Sequence, residues 1–98
     1  MKITESRGSK GLVLYIAGKI DDMTSPQLQG EIFRALKLNK NLQLDFTDVE
    51  SVNHAGVSVL QLGLKNAASK RGILEVLNAN TAVKSELQNA GLGKLLSH

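Results

Sequence analysis

Few residues in this chain are equipped for chemistry, and they gather around one stretch, Asp45 to Leu60. Within it, Asn53-His54-Ala55-Gly56 leads into a run whose Val57, Leu60, Leu64 and Ala67 share one helix face. The tetrapeptide is therefore expected at a helix N-terminus, where unpaired N–H groups and the dipole favour negative charge. Asn53 suits the cap of that helix, and Gly56 the bend into it. A side chain at position 55 would stand at the mouth of an anion-friendly site, yet Ala55 carries only a methyl group. Ser51 and Ser58 flank the loop, and Ser58 is expected to satisfy a first-turn N–H.

His54 is the side chain here best suited to general-base work, but no residue nearby in the sequence is placed to orient it. His98, at the end of the sequence, has no such context. A metal or paired-carboxylate site would need Asp21, Asp22, Asp45 and Asp48 to converge, since hard cations take several oxygens. Their spacing does not demand convergence. Asp48 is expected to cap a turn, and Asp21 or Asp22 to fix the approach to the first helix. The sequence has no P-loop, no G-x-G-x-x-G and no Ser–His–Asp constellation, and it has no cysteine for thiolate chemistry or disulfides. The expectation is a binding module with no catalytic residue, no metal site and no cofactor.

The elements that must position the loop follow from periodicity. Lys2 to Arg7 reads as a short edge strand, and Gly8-Ser9-Lys10-Gly11 as a turn. Leu12 to Ala17 is an apolar run expected as a central strand that Gly18 ends. Ser25 as N-cap with Pro26 behind it, or Thr24 with Gln27 as a capping box, starts a helix striped by Leu28, Ile32, Ala35 and Leu36. Leu42, Leu44 and Phe46 alternate with Gln43 and Asp45, giving a strand that passes into a polar loop. A second helix is expected from about Gly56 to Lys70, stopped by Arg71-Gly72. Ile73 to Leu77 forms the next strand. Asn80 or Thr81 caps a third helix striped by Val83, Leu87 and Ala90, and Gly91 stops it. Leu92, Leu95 and Leu96 pack back as a terminal segment.

The order predicts an α/β fold: an opening hairpin, then right-handed β-α-β units, in a small mixed sheet of about four strands. The alternation at Leu42–Phe46 leaves one sheet face less covered, so the helices should pack mainly on the other. The 98 residues make one domain, 1–98, able to bury roughly 60–65% of its unfolded surface. No apolar run approaches the ~20 residues of a membrane span, and the first residues are not a signal peptide, so a cytoplasmic location without membrane insertion is expected. The formal charge is +3, from 12 basic and 9 acidic residues. The bases Lys37, Lys40, Lys65, Lys70, Arg71, Lys84 and Lys94 are dispersed along the chain and no aromatic platform accompanies them, which argues against nucleic acid.

The run Asp45-x-Thr47-x-Val49-x-x-Val52-Asn53-His54-Ala55-Gly56-Val57 resembles the STAS-domain signature D-x-S-x-V-x-x-I-D-S-S-G-L of bacterial anti-sigma factor antagonists. Gly18-Lys19-Ile20-Asp21 is similar to that family's G-x-L-D, and Thr24-Ser25-Pro26-x-Leu28 to its T-A-P-x-L. Leu77-x-x-x-x-x-Val83 and Leu87-x-x-x-Gly91-Leu92 match its last helix. The resemblance spans nearly the whole chain, in order. It implies a regulator without enzymatic activity that acts by partner switching. Its partner would be an anti-sigma factor, a serine kinase of the ATP-binding histidine-kinase-like class, with a phosphatase in the same switch. It further implies that Asp21, Asn53, His54, Ala55, Gly56, Val57 and Ser58 form the partner-binding surface. The family's phosphoacceptor serine corresponds to Ala55, whether natively or by substitution, and the family's Asp to Asn53. A chain lacking the acceptor hydroxyl is expected to stay in its binding state. The resemblance also admits an alternative, since STAS domains without that serine serve as accessory subunits of lipid-transport ABC complexes or as scaffolds of sensory complexes.

Overall fold

The computed structural model describes residues 1–96. The expectations for His98 lie outside the described residues. Four strands form one sheet in the order β1-β2-β3-β4, with β1 Lys2–Gly8, β2 Gly11–Ile20, β3 Asn41–Val52 and β4 Ile73–Leu77. The β1–β2 hairpin is antiparallel, while β2–β3 and β3–β4 are parallel, each joined through a helix. The helices are α1 Ser25–Leu38, α2 His54–Ser69 and α3 Thr81–Asn89, followed by a 3-10 turn at Gly93–Leu95. They cover the face that carries Leu12, Leu14, Ile16, Leu42, Leu44, Phe46, Leu74 and Val76, all buried. Tyr15 is exposed on the other face, beside half-buried Gln43, Asp45 and Glu75. Packing on one side follows from the period-2 alternation of these strands.

The helix stripes meet the core as their spacing predicts. Leu28, Ile32, Ala35 and Leu36 of α1, Val57, Leu60 and Ala67 of α2, and Val83 and Leu87 of α3 are buried, while Leu64 is half-buried. Leu92 and Leu95 are buried behind them, and Leu96 bridges to Val76 in parallel. Arg34 ties α1 to the edge strand, reaching Glu5 at 2.6 Å and Glu31 at 2.9 Å.

Several boundaries differ from the sequence reading, each for a local reason. The strand expected at Leu42–Phe46 continues to Val52. Beyond Tyr15 its register with β2 shifts twice, so that β3 carries extra residues opposite β2. Bulges of this kind change which residues face inward. Buried positions therefore pass from every second residue (Leu42, Leu44, Phe46) to every third (Val49, Val52), and a strand reads as a polar loop. Asp48 consequently lies exposed within a strand and caps no turn. Gly18 does not end β2. Its φ of +113° falls where side chains are disfavoured, and the strand continues through it to Ile20. At α1 the N-cap is Thr24, the alternative to Ser25, but it makes no side-chain capping bond, so the position is as expected and the capping box does not form. The α2 stop places Arg71, not glycine, at positive φ (57°); Gly72 is needed because a Cβ there would collide with the Lys40 carbonyl.

Candidate functional site

The C-terminal ends of the parallel strands bring together two loops whose paired residues, Asp22 and Asn53, lie 31 positions apart in the chain. One loop is Asp21-Asp22-Met23-Thr24, between β2 and α1. The other is the junction of β3 and α2 at Asn53. Asp21 organises the first loop from within. Its Oδ1 accepts from the amides of Met23 (3.0 Å) and Thr24 (3.1 Å). The Thr24 hydroxyl accepts from the Asp21 amide at 2.9 Å and donates to the Lys19 carbonyl at 2.8 Å. The Thr24 amide, with help from the Thr24 hydroxyl and the Met23 amide, holds the Asp21 carboxyl below its ordinary range. Asp21 therefore fixes the approach to α1, as the sequence suggested.

Asn53 joins the loops. Its backbone N–H donates to the Ile20 carbonyl at 3.0 Å. Its Oδ1 accepts from Ala55 N–H (3.0 Å) and Gly56 N–H (3.3 Å), capping α2, while its Nδ2 donates to Asp22 Oδ1 at 3.0 Å. An aspartate could make the two capping bonds but would set a second carboxylate against Asp22. The amide does both jobs, which gives a physical reason for Asn at position 53. Asn80 repeats the device on α3. Its Oδ1 accepts from Val83 N–H at 2.8 Å, and its Nδ2 donates to the carbonyls of Val49 and Glu50.

Helix α2 starts two residues earlier than its apolar pattern indicates, at His54. Ser58 is thus its fifth residue, and the first-turn amides are served by Asn53 instead. His54 and Ser58 are exposed and Ala55 is half-buried, so these three present the outward surface. Gly56 and Val57 turn inward and are buried against the sheet. A Cβ on Gly56 would lie 2.6 Å from Ile20 Cγ2 and 2.8 Å from Val52 Cγ1. Their contribution to the surface is to set how closely α2 lies on β2 and β3.

The remaining acids do not join this cluster. Asp45 bonds the hydroxyl and amide of Thr47 at 2.6 and 2.9 Å and the Asn78 amide group at 3.1 Å. Burial pushes its carboxyl up, but these donors outweigh burial and hold it below the usual range. The D-x-T pair therefore pins the loop after β4. The partner-binding set expected from the sequence left out two residues that the structure places beside Asn53 or its partner. Asp22 had no sign of its pairing with Asn53. Met23, 87% exposed beside that pair, was the one apolar residue in an otherwise polar loop, and that was the available signal.

A methyl group, an amide clamp and an exposed thioether can shape a contact surface. The sequence profile described as "Mlab, STAS domain" matches residues 3–97. The chain belongs to the STAS family. None of the curated protein sequences matches it significantly. Among solved structures, the anti-sigma factor antagonist SpoIIAA in its unphosphorylated form superposes with a TM-score of 0.80 at 18% identity, over 98% of this chain and 86% of that one. The phosphorylated form of the Bacillus cell fate determinant SpoIIAA gives 0.72 at 17% identity, over 98% and 89%. An anti-sigma factor antagonist from Mycobacterium paratuberculosis gives 0.84 at 21% identity, over 97% and 81%. These likenesses establish the STAS fold of the chain.

Proposed function

We propose that this STAS domain is a docking module of a partner switch that cannot be turned off at position 55. Its partner is an anti-sigma factor that is also a serine kinase, gripped by His54, Ala55, Ser58 and Met23 around the Asn53–Asp22 clamp. Asp21, Gly56 and Val57 hold that surface in shape. The observation that carries this reading is Ala55 itself, in the first turn of α2 and partly open to solvent.

A phosphate in that turn would bring a charge of about −1.5 to −2. The helix dipole tolerates an anion there, so the fold should survive it. Docking should not, because an anion would be buried in an interface shaped for a small neutral side chain. The Ala55 methyl can accept no phosphoryl group, and the domain stays competent to bind.

A second reading makes the domain an accessory subunit of a lipid-transport ATPase, with the same surface as its interface. The missing hydroxyl favours it. Affinity capture from the source cell separates the two, by recovering either a small ATP-binding kinase or a transporter ATPase. With the kinase in hand, incubation with ATP followed by mass spectrometry should show no phosphate on the parent chain and phosphate on the Ala55→Ser variant. Phosphate on Ser51 or Ser58 of the parent would move the switch site elsewhere. An unmodified Ala55→Ser would favour the transport reading.

A further inference from the structure

Cations that are scattered along the sequence meet at the end of the molecule opposite the site. Three chain reversals lie there: Arg7 to Gly11, Lys37 to Asn41, and Ser69 to Ile73. They are in direct contact. The Ile73 amide donates to the Lys40 carbonyl at 3.0 Å, and Gly72 and Gly11 pass so close to Lys40 and Asn41 that a Cβ on either would collide. Lys70 reaches across to the Leu36 carbonyl at 3.2 Å. The three reversals hold Arg7, Lys10, Lys37, Lys40, Lys70 and Arg71, all exposed, and no carboxylate. The nearest acid along β4 is Glu75, which accepts from Gln43 at 3.2 Å.

Helix ends account for only part of this. Lys37 is in the last turn of α1 and Lys70 caps α2, where cations complement the dipole. Arg7 and Lys10 belong to the β1–β2 hairpin, which has no helix end to serve. Acids collect toward the other end instead, with Asp48 and Glu50 in the C-terminal half of β3 and Asp21 and Asp22 just beyond the end of β2. Amid the cations stand two aliphatic side chains that the core leaves out, Leu38 at 63% exposure and Ile73 at 56%.

We infer that this pole is a docking surface for an anionic lipid membrane. Attraction to a charged surface acts over a Debye length of about 10 Å, and each Lys or Arg near that surface is worth about fivefold in partitioning onto anionic lipid. Leu38 and Ile73 supply short apolar anchors at the headgroup boundary. A single-stranded nucleic acid would reward aromatic stacking, and the chain's three aromatics (Tyr15, Phe33 and Phe46) are absent from these reversals, while a duplex would use the cations and leave Leu38 and Ile73 idle. Docked in this way, the domain holds the Ala55 surface away from the membrane, at the far end of the 12-residue β3.

Flotation of the full chain with vesicles tests the inference. Protein should float with phosphatidylglycerol-containing vesicles, stay behind with pure phosphatidylcholine, and be released by salt. The double variant Lys10→Glu, Lys37→Glu, at two exposed sites, should partition at least about 25-fold more weakly. Lys19→Glu, at the opposite end, should lose far less. Leu38→Ser with Ile73→Ser should lower binding further at raised salt, and circular dichroism melts would confirm that each variant folds. Absence of flotation with anionic vesicles, or equal flotation of the Lys10/Lys37 variant, overturns the proposal. So does tighter binding to duplex DNA that ignores Leu38 and Ile73, which would make the pole a nucleic-acid surface.

Discussion

Two glycine-to-alanine substitutions should move stability in opposite directions, and the structure gives the sizes. Gly30 lies midway along α1, exposed, and a Cβ added to it would find nothing within 4 Å. Alanine there restricts the unfolded chain and meets no obstacle, so it should stabilise the fold by about 0.4–1 kcal/mol. Gly56 is the third residue of α2 and is buried. Its added Cβ would fall 2.6 Å from Ile20 Cγ2 and 2.8 Å from Val52 Cγ1. Both neighbours are β-branched and stiff at χ1, and both belong to strands, so neither can swing aside cheaply. Overpacking of this kind costs about 1–3 kcal/mol, against a helix-propensity gain below about 1 kcal/mol so near the helix start. The net effect should be a loss of about 1–2 kcal/mol. With a urea m-value of about 2 kcal/mol per M, the denaturation midpoint should fall by about 0.5–1 M for Gly56→Ala and rise for Gly30→Ala. Parallel urea titrations read both. If Gly56→Ala unfolds at or above the parent midpoint, the close seating of α2 on Ile20 and Val52 is refuted, and with it the account of how Ala55 is held.

Leu60 is fully buried beneath α2, so Leu60→Ala should cost about 2–5 kcal/mol by chemical denaturation; an unchanged midpoint would remove it from the core. Asn53→Ala removes the α2 cap and the link to Asp22 together, and calorimetry should show a loss of about 0.5–2 kcal/mol. Asp21 has a depressed carboxyl in the fold, so its stabilisation is present above the ordinary carboxylate value of about 3.9 and is lost as pH falls through the folded value. The stability gap between the parent and Asp21→Asn should therefore be constant near neutral pH and shrink on acidification, and thermal melts that show it unchanged down to about pH 3 would contradict the loop geometry.

The sequence alone determined most of the architecture, because its signals are local. Apolar spacing of three and four placed α1, α2 and α3, and alternation placed the first half of β3. Capping chemistry put Asn53 at the start of α2 and narrowed the start of α3 to Asn80 or Thr81, of which the structure uses Asn80. The ordered motifs around Ala55 pointed to the STAS family by themselves. What tertiary structure alone decided involves pairs of distant segments. The extra residues of β3 are defined only against β2, so the strand past Phe46 carried no period of its own. The bond from Asn53 to Asp22 spans 31 positions and leaves no trace in spacing. Gly56 looked like an accessible loop residue until Ile20 and Val52 were seen to occupy the space beside it. Six of the 12 bases, dispersed along the chain, share one end because parallel crossovers return every second reversal to the same end of the sheet. Local periodicity reports which way a residue faces, but only the packed chain reports what it faces.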